Sequence, residues 1–296
     1  MSLYKYPTAL AASALLATTA AAQTVAERPD LADENRPWLL MLAGLRDDDS
    51  FETALASVHV GATDATWLSF TAGKSRAPSA EQDVVADILE FGIEHDFGPV
   101  GLSLSAERWG DDNNLEASDW HGGLFFGDER YRVEFVYESR DIDIYFSGAG
   151  APILTDLRKV RVDADGVGIN WRFRINPVWQ GYGAWMNYDY PRGVRLLPRA
   201  ERLDLLNAST VTLAYSFIDE YKTIGFEREF GLKLFSFNYS QDKSTFGGDP
   251  LDSVGASMLW PVAPRVDFEF SLGRSDSGSF GSTYFGGVTL LIYGGS

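Results

Sequence analysis

The sequence predicts an all-β fold that closes as a transmembrane antiparallel β-barrel of about fourteen strands, with twelve and sixteen as the alternatives. Three observations carry that expectation. The chain opens on an export signal, apolar and polar residues alternate along most of the remainder, and short connections take turns with long ones.

The export signal is tripartite. Lys5 supplies a positive start, Thr8 to Ala17 form a short apolar core, and Ala20-Ala21-Ala22 gives a small-residue cleavage pattern with Gln23 next. The core is too short for a spanning helix, which needs about 20 apolar residues. Residues 1–22 are therefore expected to be a signal peptide, and residues 23–36, polar and with Pro29, a short periplasmic lead-in. Cleavage would remove Lys5 as the only charged residue and take the net charge from −17 to −18.

Composition narrows the classes. With 42 acidic and 25 basic side chains the protein lacks the basic footprint of a nucleic-acid binder. It has no cysteine, so it holds neither a disulfide nor a thiolate metal site. Aromatic residues and glycines are abundant, with 19 Phe, 13 Tyr, 8 Trp and 29 Gly, which suits a barrel whose strands turn only alternate residues to lipid.

Period two is the main signal, because neighbouring side chains of a strand point to opposite faces. Tyr131, Val133, Phe135 and Tyr137 alternate with Arg132, Glu134, Val136 and Glu138. Val266, Phe268, Phe270 and Leu272 alternate with Asp267, Glu269, Ser271 and Gly273. Leu89, Phe91 and Ile93 alternate with Glu90, Gly92 and Glu94, and Val167 to Ile175 with Gly168, Asn170, Arg172 and Arg174. Strands are expected near 38–47, 52–62, 66–75, 84–96, 99–109, 117–127, 130–141, 157–175, 178–190, 208–218, 222–242, 252–260, 265–275 and 282–292. Two of these are irregular. The stretch 157–175 changes parity around Asp163-Ala164-Asp165-Gly166, which reads as a bulge or a turn, and 222–242 is long for one crossing, with Gly231 in its middle. The barrel is expected to occupy residues 37–293.

Connections sort by length. Thr63-Asp64, Phe97-Gly98-Pro99, Gly127-Asp128-Glu129, Asn176-Pro177 and Pro261 to Pro264 are short, whereas 75–83, 110–117, 141–156, 191–207, 243–251 and 275–281 are longer and polar or rich in glycine and proline. Short turns on one rim and long loops on the other, with both termini on the short-turn side, is the layout of bacterial outer-membrane barrels. The last strand adds a resemblance to those proteins: Gly287, Leu290 and Ile292 fit a Gly-x-x-apolar-x-apolar spacing with Tyr293 near the end, the segment that such barrels present to their insertion machinery. Phe285 and the terminal Gly294-Gly295-Ser296 depart from the pattern. The resemblance implies an outer-membrane location, contact with outer-membrane lipids and lipopolysaccharide, and passage through the barrel-insertion machinery. It leaves a homo-oligomer or a protein partner open.

Fold does not supply function, so the sites are weighed one by one. Outer-membrane phospholipases and deacylases, which such a chain resembles in architecture, pair a His and a Ser two residues apart on one strand. Here Ser57 precedes His59 by two, and neither His95 nor His121 has such a serine after it. Omptin-type proteases use Asp and His near the barrel top, whereas His95-Asp96 falls near a short turn at the other end. Asp163-x-Asp165-Gly166 is a fragment of a calcium loop without its further ligands and reads as an Asp-Gly turn. Asp47-Asp48-Asp49 reads as a solvated turn. No catalytic residue, metal site or cofactor is expected.

The inward charges lead elsewhere. By parity, Glu90, Glu94, Glu107, Arg132, Glu134, Glu138, Arg172, Arg174, Asp267 and Glu269 point into the lumen and are candidates to line a pore, where walls of charge set ion selectivity. The expected function is a porin-like channel for small polar solutes or ions, cation-preferring because the chain is acidic. The alternatives are a barrel that scaffolds a periplasmic or surface partner, and an outer-membrane lipid hydrolase. Two loops are candidates to plug the lumen or meet the exterior: 141–156, apolar around Ile142 to Phe146, is expected to fold inward as a constriction or to continue a strand above the membrane, and 191–207, with Arg192, Arg195, Arg199 and Arg202 among leucines, to form a short amphipathic helix that touches lipopolysaccharide or a partner.

Overall fold

A computed structural model describes residues 38–48, 50–77, 84–111, 115–128, 130–145, 159–191, 217–244, 250–277 and 281–294. The expected signal peptide and lead-in, the basic leucine-rich stretch 192–207 and most of 141–156 lie outside the described residues.

Fourteen strands run β1 Trp38–Asp47, β2 Glu52–Thr63, β3 Thr66–Ala77, β4 Val84–Asp96, β5 Val100–Asp111, β6 Leu115–Gly127, β7 Tyr131–Tyr145, β8 Lys159–Asn176, β9 Trp179–Asp189, β10 Ile218–Phe230, β11 Lys233–Ser244, β12 Leu251–Ala263, β13 Val266–Ser277 and β14 Gly281–Gly294. Each pairs antiparallel with its sequence neighbour, and β14 closes on β1 from Trp38↔Gly294 to Asp47↔Phe285. Closure leaves no free sheet edge, so every strand finds its ladder partners within the bilayer.

Alternation positions the two faces. Outward side chains are apolar and exposed: Leu42, Phe70, Leu89, Phe91, Leu104, Phe135, Ile224, Phe270 and Val288 mark the belt. At the rim that holds both strand termini, cations sit on aromatic rings, with Lys233 Nζ 3.6 Å from the Trp260 ring and Arg228 4.9 Å from that of Trp179. Such pairs suit the interfacial zone, where aromatic girdles flank the belt. Towards the opposite rim the outer face turns to exposed ion pairs: Lys74–Asp87 at 2.9 Å, Arg108–Glu116 at 2.9 Å and Arg161–Asp141 at 2.5 Å. Between Trp260 and Asp252, β12 measures about 26 Å, or about 20 Å of height once tilted, somewhat less than the roughly 25 Å apolar band of a membrane barrel.

The short turns are built by side chains that stand in for backbone. Asn176 Oδ1 accepts from the amides of Val178 and Trp179, both at 3.0 Å, Asp96 Oδ1 from Gly98 at 2.6 Å, and Asp128 Oδ1 from Arg130 at 2.7 Å.

Two sequence expectations are corrected here, and another falls almost wholly outside the described residues. The stretch 222–242 is two strands, β10 and β11, joined at Gly231-Leu232. Gly231 has φ 65°, the conformation that a two-residue hairpin needs and that side chains other than glycine resist. The expected strand at 208–218 lies outside the described residues except for Phe217 and Ile218, and β10 starts at Ile218. The number fourteen thus agrees, although the strands that make it up differ. The stretch 163–166 is neither bulge nor turn: β8 pairs with β7 without a break from Tyr145↔Lys159 to Tyr131↔Phe173. The apparent change of parity is a change of environment. Above the belt, Asp141, Asp143, Arg161, Asp163 and Asp165 face outward, while Ile142, Ile144, Val162 and Ala164 are buried inside.

Candidate functional site

The inner wall carries the polar residues. All ten inward charges expected from parity lie on the face opposite the apolar belt. Contacts that skip strands place them inside the cylinder: Arg132 on β7 reaches Glu94 on β4 with two parallel bonds, Nη1 to Oε1 at 3.1 Å and Nη2 to Oε2 at 3.0 Å. Only the lumen offers that chord.

A lower network surrounds this pair. Arg132 lies 3.8 Å over the Phe125 ring. Glu134 accepts from Ser103 Oγ at 2.6 Å and from Asn170 Nδ2 at 3.1 Å. Glu134 and Ser103 close over Gly123, where a Cβ would meet both of them, and Phe125 lies over Gly101 in the same way. Arg172 is the register partner of Arg132, and Arg174 that of Gln180, whose amide reaches Glu227 Oε2 at 3.4 Å.

A second network lies farther up the same wall. Glu90 is paired in register with Glu107, Glu107 with Asp119, and Asp119 with Arg140. Arg140 donates from Nε to Asp119 Oδ2 at 3.1 Å and from Nη2 to Glu138 Oε1 at 2.7 Å, and lies 4.7 Å over the Tyr188 ring. Glu138 also accepts from Tyr188 Oη at 2.8 Å and faces His121 Nδ1 at 3.2 Å.

The opposite wall is hydroxylic and acidic. Ser253 and Ser275 share a hydrogen bond of 2.7 Å, Tyr182 and Ser236 one of 3.2 Å, and Tyr293 Oη donates to Asp267 Oδ2 at 2.8 Å. Glu269 lies two residues along the same face from Asp267 and is buried. The inward arginines among the described residues, Arg132, Arg140, Arg172 and Arg174, all stand on β7 and β8. Arg132 meets its carboxylate partner, Glu94, across three strand spacings, whereas Arg140 pairs with carboxylates of β6 and of its own strand.

Apolar residues join the inner face at both ends. At the outer end Leu115, Ile142, Ile144, Met186, Tyr188, Tyr190, Phe217 and Tyr221 belong to one buried cluster, with the Tyr190 and Phe217 rings 5.7 Å apart. At the other end Leu39, Leu234, Leu259, Leu291 and Tyr293 form a second.

The remaining sequence candidates divide. Leu290 and Ile292 of the terminal segment face outward, whereas Gly287 and Tyr293 face inward. Phe285 is inward too and lies over Gly273, its register partner. Ser57 and His59 meet at 3.1 Å, but on the inner face, with Ser57 also 3.0 Å from Thr71, so the pair does not look toward lipid. His95 sits at a short turn, 2.8 Å from Thr66 Oγ1. Asp47 Oδ1 accepts from Phe51 N at 2.7 Å, and Asp48 Oδ1 from Tyr284 N at 3.0 Å, so these two acids brace the connection from β1 to β2.

Sequence reasoning passed over Asp119, Arg140, Tyr188 and Glu227 and gave His121 no particular role. Extending the parity of Glu134 and Glu138 by two residues reaches Arg140. Asp119 and His121 share a face with Phe125, and that inward aromatic blurs the alternation of β6.

No protein-family model matches the chain, and no curated protein matches it in sequence. Solved structures do. CymD, a monoaromatic hydrocarbon channel, aligns with a TM-score of 0.56 at 10% identity, over 90% of this chain and 91% of that one. A bacterial polysaccharide outer membrane secretin aligns at 0.47 and 10% identity, over 88% and 99%, and the KdgM porin at 0.43 and 9%, over 87% and 99%. The fold is that of outer-membrane barrels of the porin and channel type.

Proposed function

We propose that the protein is a porin-like channel of the bacterial outer membrane, exported by its N-terminal signal, that passes small polar solutes or ions and favours cations. The observation that carries this reading is the lumen wall: charged and hydroxyl side chains line a closed barrel whose outer face is an apolar belt. Carboxylates on that wall outnumber guanidiniums, which favours cations along the path. The exposed cations of the upper outer face, Lys74, Arg108 and Arg161, suit contact with the anionic head groups of lipopolysaccharide.

The test is single-channel conductance of the refolded mature barrel in a planar bilayer under a salt gradient. Stable steps with a cation-sided reversal potential support the reading. A folded, heat-resistant barrel that stays silent overturns it.

A further inference from the structure

We propose that Glu107, Asp119 and His121 form a binding site for a divalent transition-metal cation on the inner wall of the barrel. One donor atom from each lies within 4.8 Å of the other two. The topology brings them together: Glu107 and Asp119 are register partners across β5 and β6, and His121 follows Asp119 by two residues on the same face.

Three features beyond acidity point to an ion. First, Asp119 is 1% exposed, and its Oδ1 has no hydrogen-bond partner, although the Trp109 indole stands beside the carboxylate. Its other oxygen is held by Arg140. A buried carboxylate oxygen left without a donor is costly, and a bound cation supplies what it lacks. Second, His121 Nδ1 faces Glu138 Oε2 at 3.2 Å. A carboxylate that holds the proton on one ring nitrogen leaves the lone pair on the other, and this outer partner is the usual companion of a metal-ligating histidine. Third, acidic side chains outnumber basic ones: Glu90, Glu107, Asp119 and Glu138 stand with one guanidinium, Arg140, and one imidazole, and a divalent ion offsets the charge of the carboxylates that bind it.

Donor chemistry selects the class of ion. One imidazole with two carboxylates suits Zn²⁺ or a neighbouring transition metal, whereas Ca²⁺ and Mg²⁺ take oxygen donors. The His121 side chain is 30% exposed, so an ion in the lumen reaches it. The site does not require the channel reading, because binding is measurable on a silent barrel.

The experiment titrates the folded, detergent-solubilised mature barrel with Zn²⁺ by calorimetry and with Co²⁺ by visible absorption. Expected are one ion per barrel and Co²⁺ ligand-field bands. His121→Ala and Glu107→Gln should each weaken affinity at least about tenfold, while His95→Ala, at the periplasmic turn, leaves it unchanged. Retained heat-modifiable mobility shows that the variants fold, and Glu107→Gln serves if His121→Ala does not. Absence of Zn²⁺ binding, or binding that survives both substitutions, overturns the proposal.

Discussion

Arg140 shows how a single residue can hold a wall together. Its guanidinium meets Asp119 at 3.1 Å and Glu138 at 2.7 Å, and its side chain is 11% exposed against 2% and 3% for the two acids. Removing one member of a buried ion network leaves the others charged, desolvated and without their partner. That typically costs about 3–5 kcal/mol, well above the worth of an exposed pair. Arg140→Gln is therefore expected to lower unfolding free energy by about 3 kcal/mol, read from urea titration of the barrel in lysolipid micelles. Arg161→Gln removes the exposed pair to Asp141 outside the belt. It should leave stability unchanged within the error of the same titration. Equal losses for the two variants would show that the network around Arg140 is open to water.

At the scale of the strand, alternation decides the consequence of a charge. Phe270 and Ser271 are neighbours on β13, with Phe270 outward and 51% exposed and Ser271 inward. Arginine on the lipid face near the midplane costs about 2–4 kcal/mol, whereas the lumen face tolerates it. Phe270→Arg should fall in unfolding free energy by that amount, and Ser271→Arg by under about 1 kcal/mol with a shifted reversal potential. The reverse ranking would mean that the faces are misassigned. This alternation is what made most strands legible in the sequence, and it failed where a second rule intervened. Around 157–175 the parity of β8 never changes, but the solvent outside does, from lipid to water, so polar residues appear on the outer face. Across 222–242 the outward parity switches from even residues on β10 to odd ones on β11, a sign, together with Gly231, of the two-residue turn that a single-strand reading misses. The inward charges Glu94 and Arg132 were legible from parity. Their bond across three strand spacings was not, because side-chain reach inside a cylinder depends on curvature that no local pattern encodes.

The whole barrel sets how far any lumen charge is felt. Fourteen strands spaced about 4.8 Å apart and tilted about 40° give a backbone radius of about 14 Å. Side chains project about 6 Å from it, which leaves a path on the order of 8 Å in radius where no loop enters. The Debye length is about 10 Å at 0.1 M salt and about 3 Å at 1 M. At low salt the wall's field therefore spans the path, and at high salt an ion on the axis is screened from it. If the protein conducts, cation preference should be clear at 0.1 M and nearly absent at 1 M. The sign should follow the wall: Arg172→Gln strengthens the preference, and Glu134→Gln or Asp267→Asn weakens it. Reversal potentials measured at two mean salt concentrations with a fixed gradient check both expectations. A preference that persists unchanged at 1 M would place the ion in direct contact with a carboxylate at a constriction narrower than the open barrel.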